Sequence, residues 1–194
     1  AGLSRGLGDV YKRQVYTNNG ATNVGTFTTK QKFRDTTNWY HVVAVWDTTN
    51  STSEDRQRLY INGKRILPAD LTITTTPSSS AVSNFNNEQM TIGRRVITDN
   101  IYWDWYMAEV NFVVGNAYDP TYFGETKNGV WIPKKYSGSY GTDSFRLDFK
   151  GNGTATSSGA VSSPTNIGDD SSSQNNHFAV SGLNSYDSNC LLYT

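Results

Sequence analysis

Sulphur, net charge and long apolar runs are all scarce in this chain. A single cysteine among 194 residues rules out an internal disulfide framework. Lys+Arg and Asp+Glu stand at 17 each, so the formal net charge is zero and nothing draws the chain generally to nucleic acid or anionic lipid. No apolar run approaches the ~20 residues that span a bilayer. The N-terminal residues hold no stretch like the apolar centre of a signal peptide, roughly 7–15 residues long. Only two histidines are present. Nucleophile elbows, P-loops and dinucleotide-binding glycine patterns are absent.

Aromatics and small polar residues take up the space. Phe, Trp and Tyr make 13% of the chain, with 12 Tyr and 5 Trp, while Leu and Ala are few. Abundant Thr, Tyr, Asn and Gly read as all-β rather than helical or disordered. Strands are predicted over Thr26–Arg34, over Trp39–Asp47 after the turn-forming Asp35–Asn38, and over Arg56–Ile61 after a polar loop. Asn62-Gly63 between Arg56–Ile61 and Lys64–Leu67 predicts a type I′ hairpin, because both central residues need positive φ.

Further along, Pro77–Asn87 reads as loop and Gln89–Val96 as strand. Tyr102–Val114 is a long β-favouring run, with Ala108, Val110 and Phe112 on one face and Glu109 and Asn111 on a wetter one. Asp119-Pro120 predicts one short helical turn, Asp as N-cap and Pro in its first position. Ser144–Phe149 reads as strand, Gly151–Ser173 as loop or linker, and His177–Val180 as one more strand. Strands separated by polar loops, without helices of ten or more residues, argue for an antiparallel sandwich.

Specific residues carry a family likeness. Trp39-Tyr-His-Val-Val-Ala-Val-Trp-Asp47, the Leu59-Tyr-Ile-Asn-Gly63 hairpin, Met90-Thr-Ile-Gly93 and Met107-Ala-Glu-Val-Asn-Phe112 together resemble a laminin-G-like, or concanavalin-A-like, jelly-roll domain. Glu109 stands at that family's acidic strand position. The resemblance implies an all-β antiparallel jelly-roll sandwich whose first strands are missing from the chain. Tyr106–Val110, Asp119–Thr126, Gly129–Gly141 and Asp169–Asn176 resemble tail-associated and structural proteins of environmental phages. In the last of these segments Ser173 and Gln174 replace a glycine-containing pattern.

The two ends carry a different likeness. Ser4–Gln14 and Cys190–Thr194 resemble the translated halves of one inverted transposon-end sequencing adapter, since DNA coding for the first peptide yields the second when its complement is read. The expected organisation is therefore adapter over 1–14, a sandwich fragment over 15–150, a Gly/Ser/Asp-rich linker and following segment over 151–189, and adapter over 190–194. On that reading the lone cysteine, Cys190, carries no functional weight.

Catalysis finds little support. Glycosidases on this sandwich use a carboxylate pair on alternate strand positions, about 5 Å apart for a retaining mechanism. Asp104 and Glu109 lie five positions apart, an odd spacing, and would face opposite sides of a regular strand. His41 lies between aromatic and β-branched neighbours and reads as a packed strand residue rather than a base. Asp169, Asp170, Asp99 and Asn100 are the candidate oxygen donors for calcium, against the simpler reading of solvated turn acids. Sugar binding is better served by Tyr102, Trp103, Asp104 and Trp105, whose rings can stack on sugar C–H faces while Asp104 accepts hydroxyls. The alternative for the same rings is packing into the sandwich or onto a neighbouring subunit.

Arg94-Arg95 and Lys134-Lys135 are too few for a nucleic-acid stripe. Asn50-Ser-Thr52 and Asn152-Gly-Thr154 match glycosylation sequons, relevant only to a eukaryotic secretory route. The expected function is a non-catalytic carbohydrate-binding or adhesion module of a phage virion protein. Its expected partners are host-surface glycans or other virion subunits, homo-oligomers included, and neither nucleic acid nor membrane. Its expected location is the virion, outside the cell, and no cofactor beyond calcium is expected. A purely structural virion module and a glycoside hydrolase fragment are the rivals.

Overall fold

The computed structural model describes residues 2–3, 14–18, 23–35, 37–83, 90, 92, 94–95, 101–102, 107–150 and 168–178. In chain order its strands are β1 (Gly2–Leu3), β2 (Gln14–Asn18), β3 (Asn23–Thr29), β4 (Val42–Trp46), β5 (Gln57–Ile61), β6 (Lys64–Arg65) and β7 (Leu71–Thr75). They continue as β8 (Arg94–Arg95), β9 (Ile101–Tyr102), β10 (Val110–Phe112), β11 (Gly124–Lys127), β12 (Val130–Pro133) and β13 (Phe145–Leu147). Every pairing among them is antiparallel. The helical segments among the described residues are single 3₁₀ turns, and no helix there is long and apolar enough to cross a membrane. The chain is all-β, as the composition predicts.

Two compact units emerge: Ala1–Trp103 with Ala117–Lys135, and Asp104–Asn116 with Tyr136–Thr194. The first unit holds two main sheets, ordered β1-β2-β3-β7 and β4-β5-β6. Along β5 the burial alternates, with Gln57, Leu59 and Ile61 inside and Arg58 and Tyr60 half-buried. That is the period-2 signature of a strand with one face on a core. Leu59 and Ile61 from one sheet meet Phe27 and Leu71 from the other, with Phe33 closing the cluster and Tyr40, Val42 and Ile66 around it. Two sheets facing each other across a shared apolar layer form a sandwich.

The predicted hairpin is present. Asn62 and Gly63 adopt φ of 49° and 75°, and Tyr60 pairs with Arg65 and Ile61 with Lys64 across them. The Asp119-Pro120 turn is present too: Pro120–Tyr122 form a 3₁₀ turn, and Asp119 Oδ1 accepts from the Thr121 N–H at 2.7 Å. Five strands go beyond the sequence expectation: β1 and β2 precede the first predicted strand, β1 lying within the stretch read as adapter and β2 pairing with β3, and β7, β11 and β12 follow. β7 is a Thr-rich strand on the edge of the first sheet. β11 and β12 form a second hairpin around Asn128-Gly129, whose φ values of 50° and 79° repeat the first turn.

The second unit is built on β10 paired with β13, Val110 opposite Leu147 and Phe112 opposite Phe145. Phe112 stacks on Phe145 at 5.3 Å, and Phe178 meets Phe145 edge-on at 4.7 Å. Here the structure corrects two expectations. The long strand over Tyr102–Val114 is interrupted, because Glu109 takes a left-handed φ of 52°. Among the described residues of that run, Tyr102 ends β9 and Val110–Phe112 pair as β10, and Ala108 is exposed while Val110 and Phe112 are partly buried. His177 and Phe178 form no strand. The segment 168–178 closes into a loop instead, with Leu147 bridged to Asp170 and the Phe178 N–H donated to the Gly168 carbonyl at 2.8 Å.

Candidate functional site

Of the four residues predicted to bind ligand, Tyr102 ends β9, whose partner is Arg94–Arg95. Trp103, Asp104 and Trp105 lie outside the described residues, as do Asp99 and Asn100. The polar networks of the described residues lie elsewhere in the two units.

In the first unit His41 is half-buried immediately before β4. Its backbone is clamped by Asn62: the His41 N–H donates to Asn62 Oδ1 and the His41 carbonyl accepts the Asn62 N–H, both at 2.8 Å. The Trp131 indole N–H donates to His41 Nδ1 at 3.1 Å. That nitrogen is therefore an acceptor, and the ring is neutral. Burial pushes the imidazole below its ordinary range, while a hydrogen bond to the Phe123 backbone opposes it. With Nδ1 occupied by an indole, His41 packs against the second hairpin and anchors its Trp131 ring.

Trp131 is a residue that sequence reasoning missed. It stands on β12 and lies across two glycines: a Cβ on Gly63 or on Gly124 would overlap its ring. One indole thus covers the turn of the first hairpin and the start of the second. The signal that could have found it is the Asn128-Gly129 pair, which has the same turn chemistry as Asn62-Gly63.

The second unit carries the charged chemistry. Arg146 is buried on β13 and meets Glu109 through two bonds, Nε to Oε1 at 2.5 Å and Nη2 to Oε2 at 2.9 Å. Asp148 adds a looser pair at 3.8 Å. The Glu109 bonds raise the guanidinium's affinity for its proton. Fork-to-fork pairing of this kind fixes geometry as well as charge. The face of Glu109 and Asn111 is therefore not the wet one predicted. Glu109 holds Arg146, and Asn111 accepts the Tyr140 hydroxyl. Burial raises Tyr140 to about 12.

Asp170 organises the loop that follows. Its Oδ1 accepts the N–H groups of Arg146 at 2.9 Å and Ser172 at 2.8 Å, and its Oδ2 accepts that of Asn176 at 3.0 Å. Burial alone would raise this carboxyl, but those donors outweigh it and hold it below the ordinary carboxylate range. The Asp170 N–H donates to His177 Nδ1 at 3.1 Å. Asn176 reaches across to the carbonyls of Thr142 and Ser144 at 2.7 and 2.8 Å. So the Ser173-Gln174 departure leaves a tight, well-bonded turn, with Ser173 and Asn175 supplying positive φ where glycine would serve.

At Asp170, a candidate calcium donor, the carboxylate is already engaged by backbone donors. No group of three or more His, Cys, Asp or Glu that could hold a metal exists among the described residues.

The first unit also presents an aromatic pair at its surface. Tyr118 and Tyr122 flank the Pro120 turn, their rings 4.2 Å apart at 34°. Tyr122 remains 47% exposed.

Comparison with known proteins is consistent with this architecture. No curated protein and no solved structure matches the chain. A laminin-G-like family model described as the concanavalin A-like lectin/glucanases superfamily matches residues 4–115. Facing antiparallel sheets, the Asn62-Gly63 hairpin and a match over more than half the chain lead to one conclusion: this chain belongs to the concanavalin A-like lectin/glucanase superfamily.

Proposed function

We propose that the chain is a non-catalytic carbohydrate-binding or adhesion module. The observation that carries this reading is the state of Glu109. The acid at the superfamily's strand position is spent on a bidentate pair with the buried Arg146. A carboxylate whose two oxygens both accept from a guanidinium is badly placed to hand a proton to a glycosidic oxygen. Solvent-facing aromatic rings are the complementary support, since they suit sugar recognition without chemistry.

The finer reading places the module in a tail-associated phage virion protein, outside the cell and assembled as an oligomer. The phage-like segments Asp119–Thr126 and Gly129–Gly141 support it. On that reading host-surface glycans are the partners, nucleic acid and membranes are not, and the peptides at 1–14 and 190–194 come from adapter DNA. Sequencing the gene with its neighbours tests this: tail genes alongside and termini free of adapter bases are expected in the native locus.

A second reading, a purely structural virion module, draws on the edge strand β7. Ile73 is 40% exposed there, and Leu67, shortly before the strand, is exposed as well. Glycan arrays probed with the folded chain, with Trp103→Ala and with Trp105→Ala separate the two readings. Retained glycans favour the first, and a chain that ignores every glycan but self-associates favours the second.

A further inference from the structure

Among the described residues Trp39 and Tyr122 are the exposed large aromatic rings. Tyr122 differs in being mounted. Pro120 is buried and starts a 3₁₀ turn, with the Tyr122 and Phe123 N–H groups bonded back to the Asp119 and Pro120 carbonyls at 3.3 and 3.0 Å. Asp119 Oδ1 accepts both the N–H and the hydroxyl of Thr121, at 2.7 and 2.5 Å. Tyr118 supports the Tyr122 ring from one side at 4.2 Å. The ring is thus braced by its own turn and by its neighbour, which lowers the entropy to be lost on binding.

The chemistry around it is selective. A flat ring face complements the C–H face of a pyranose, and the exposed Asp119 carboxylate beside it can accept sugar hydroxyls. Among the described residues the bonds of Asp119's carboxylate all go to Thr121, through a single oxygen. An acidic sugar would meet that negative charge unfavourably.

We infer that Tyr122, stacked on Tyr118 and flanked by Asp119, is a docking platform for a neutral hexopyranose unit of a glycan. The inference rests on the carbohydrate-binding reading above, but it places a contact apart from residues 102–105. A single stacked ring binds one sugar weakly, so useful affinity comes from several copies acting together.

The test uses the full chain. Saturation-transfer NMR with the methyl glycosides of galactose, glucose and N-acetylglucosamine reports neutral-sugar contact, with the methyl glycoside of N-acetylneuraminic acid as the acidic probe. A glycan array reads avidity in parallel. Tyr122→Ala is expected to weaken neutral-sugar binding by about tenfold. Tyr122→Phe keeps the stacking face and is expected to bind. Asp119→Asn keeps the turn, because the amide caps equally well, and weakens binding less. Circular dichroism confirms that each variant is folded. Wild-type binding by folded Tyr122→Ala overturns the inference, as does a preference for the methyl glycoside of N-acetylneuraminic acid over the neutral glycosides. If Trp103→Ala and Trp105→Ala abolish glycan retention while Tyr122→Ala does not, the platform is wrong and the carbohydrate-binding reading stands. If no glycan is retained by the wild-type chain, both fall.

Discussion

Two hairpins of the first unit share a turn and differ in what surrounds it. Asn62-Gly63 and Asn128-Gly129 have nearly the same φ values, with glycine φ of 75° and 79°. A Cβ on Gly129 would meet nothing within 4 Å, whereas one on Gly63 would overlap the Trp131 ring. The same dipeptide therefore answers one requirement at Gly129, positive φ, and two at Gly63, positive φ and close approach. The second hairpin lends its Trp131 to the first, and the tie is completed by the Trp131–His41 hydrogen bond. Turn chemistry is local, but its importance is set by what is packed over it.

The largest expected effect breaks that difference at its stronger end. Gly63→Ala adds overpacking to an unfavourable φ and is expected to cost about 2–4 kcal/mol, read from urea midpoints. Next comes Trp131→Ala, which uncovers both glycines and leaves His41 Nδ1 without its donor; about 2–3 kcal/mol is expected for this half-buried ring. Combining the two should cost clearly less than their sum, because the ring that the added methyl would strike is gone. Additive losses would show that Gly63 is needed for φ alone. Gly129→Ala removes only the φ preference and should cost about 1 kcal/mol in the same urea titration.

The smallest effect is pH dependence. His41 is held below its ordinary value of 6.5 by burial, so the folded state prefers the neutral ring. Its contribution is whole above that value and is lost as pH falls toward the lowered folded value. Thermal unfolding of the first unit should therefore shift downward on acidification below about 6.5. His41→Gln should flatten that slope.

Much of the fold was legible because periodicity and turn residues are local signals. The alternation in Gln57–Ile61 and the Asn62-Gly63 pair declared a hairpin, and Asp119-Pro120 declared a capped turn. Asn128-Gly129 offered the same signal, but its flanking strands Gly124–Lys127 and Val130–Pro133 are only four residues each. Lys127, Glu125 and a glycine leave them without clear alternation, which hides the turn. The break at Glu109 was not legible, because its left-handed conformation is tied to Arg146, which lies 37 positions away in sequence. The same holds for Asp170, whose three N–H partners come from Arg146, Ser172 and Asn176. A run of acids and serines reads as solvated turn until its long-range partner is known. The Tyr118–Tyr122 stack was within reach, since four residues spanning a Pro turn bring two rings together.

On the proposed function, this sandwich holds glycans through aromatic faces and does not cleave them. The most direct measurement incubates the folded chain with an immobilised oligosaccharide panel and reads retention and reducing-end release together. Retention without new reducing ends is predicted. Release of reducing ends that disappears in Glu109→Gln would contradict it, because Glu109 would then be a catalytic acid rather than the partner of Arg146.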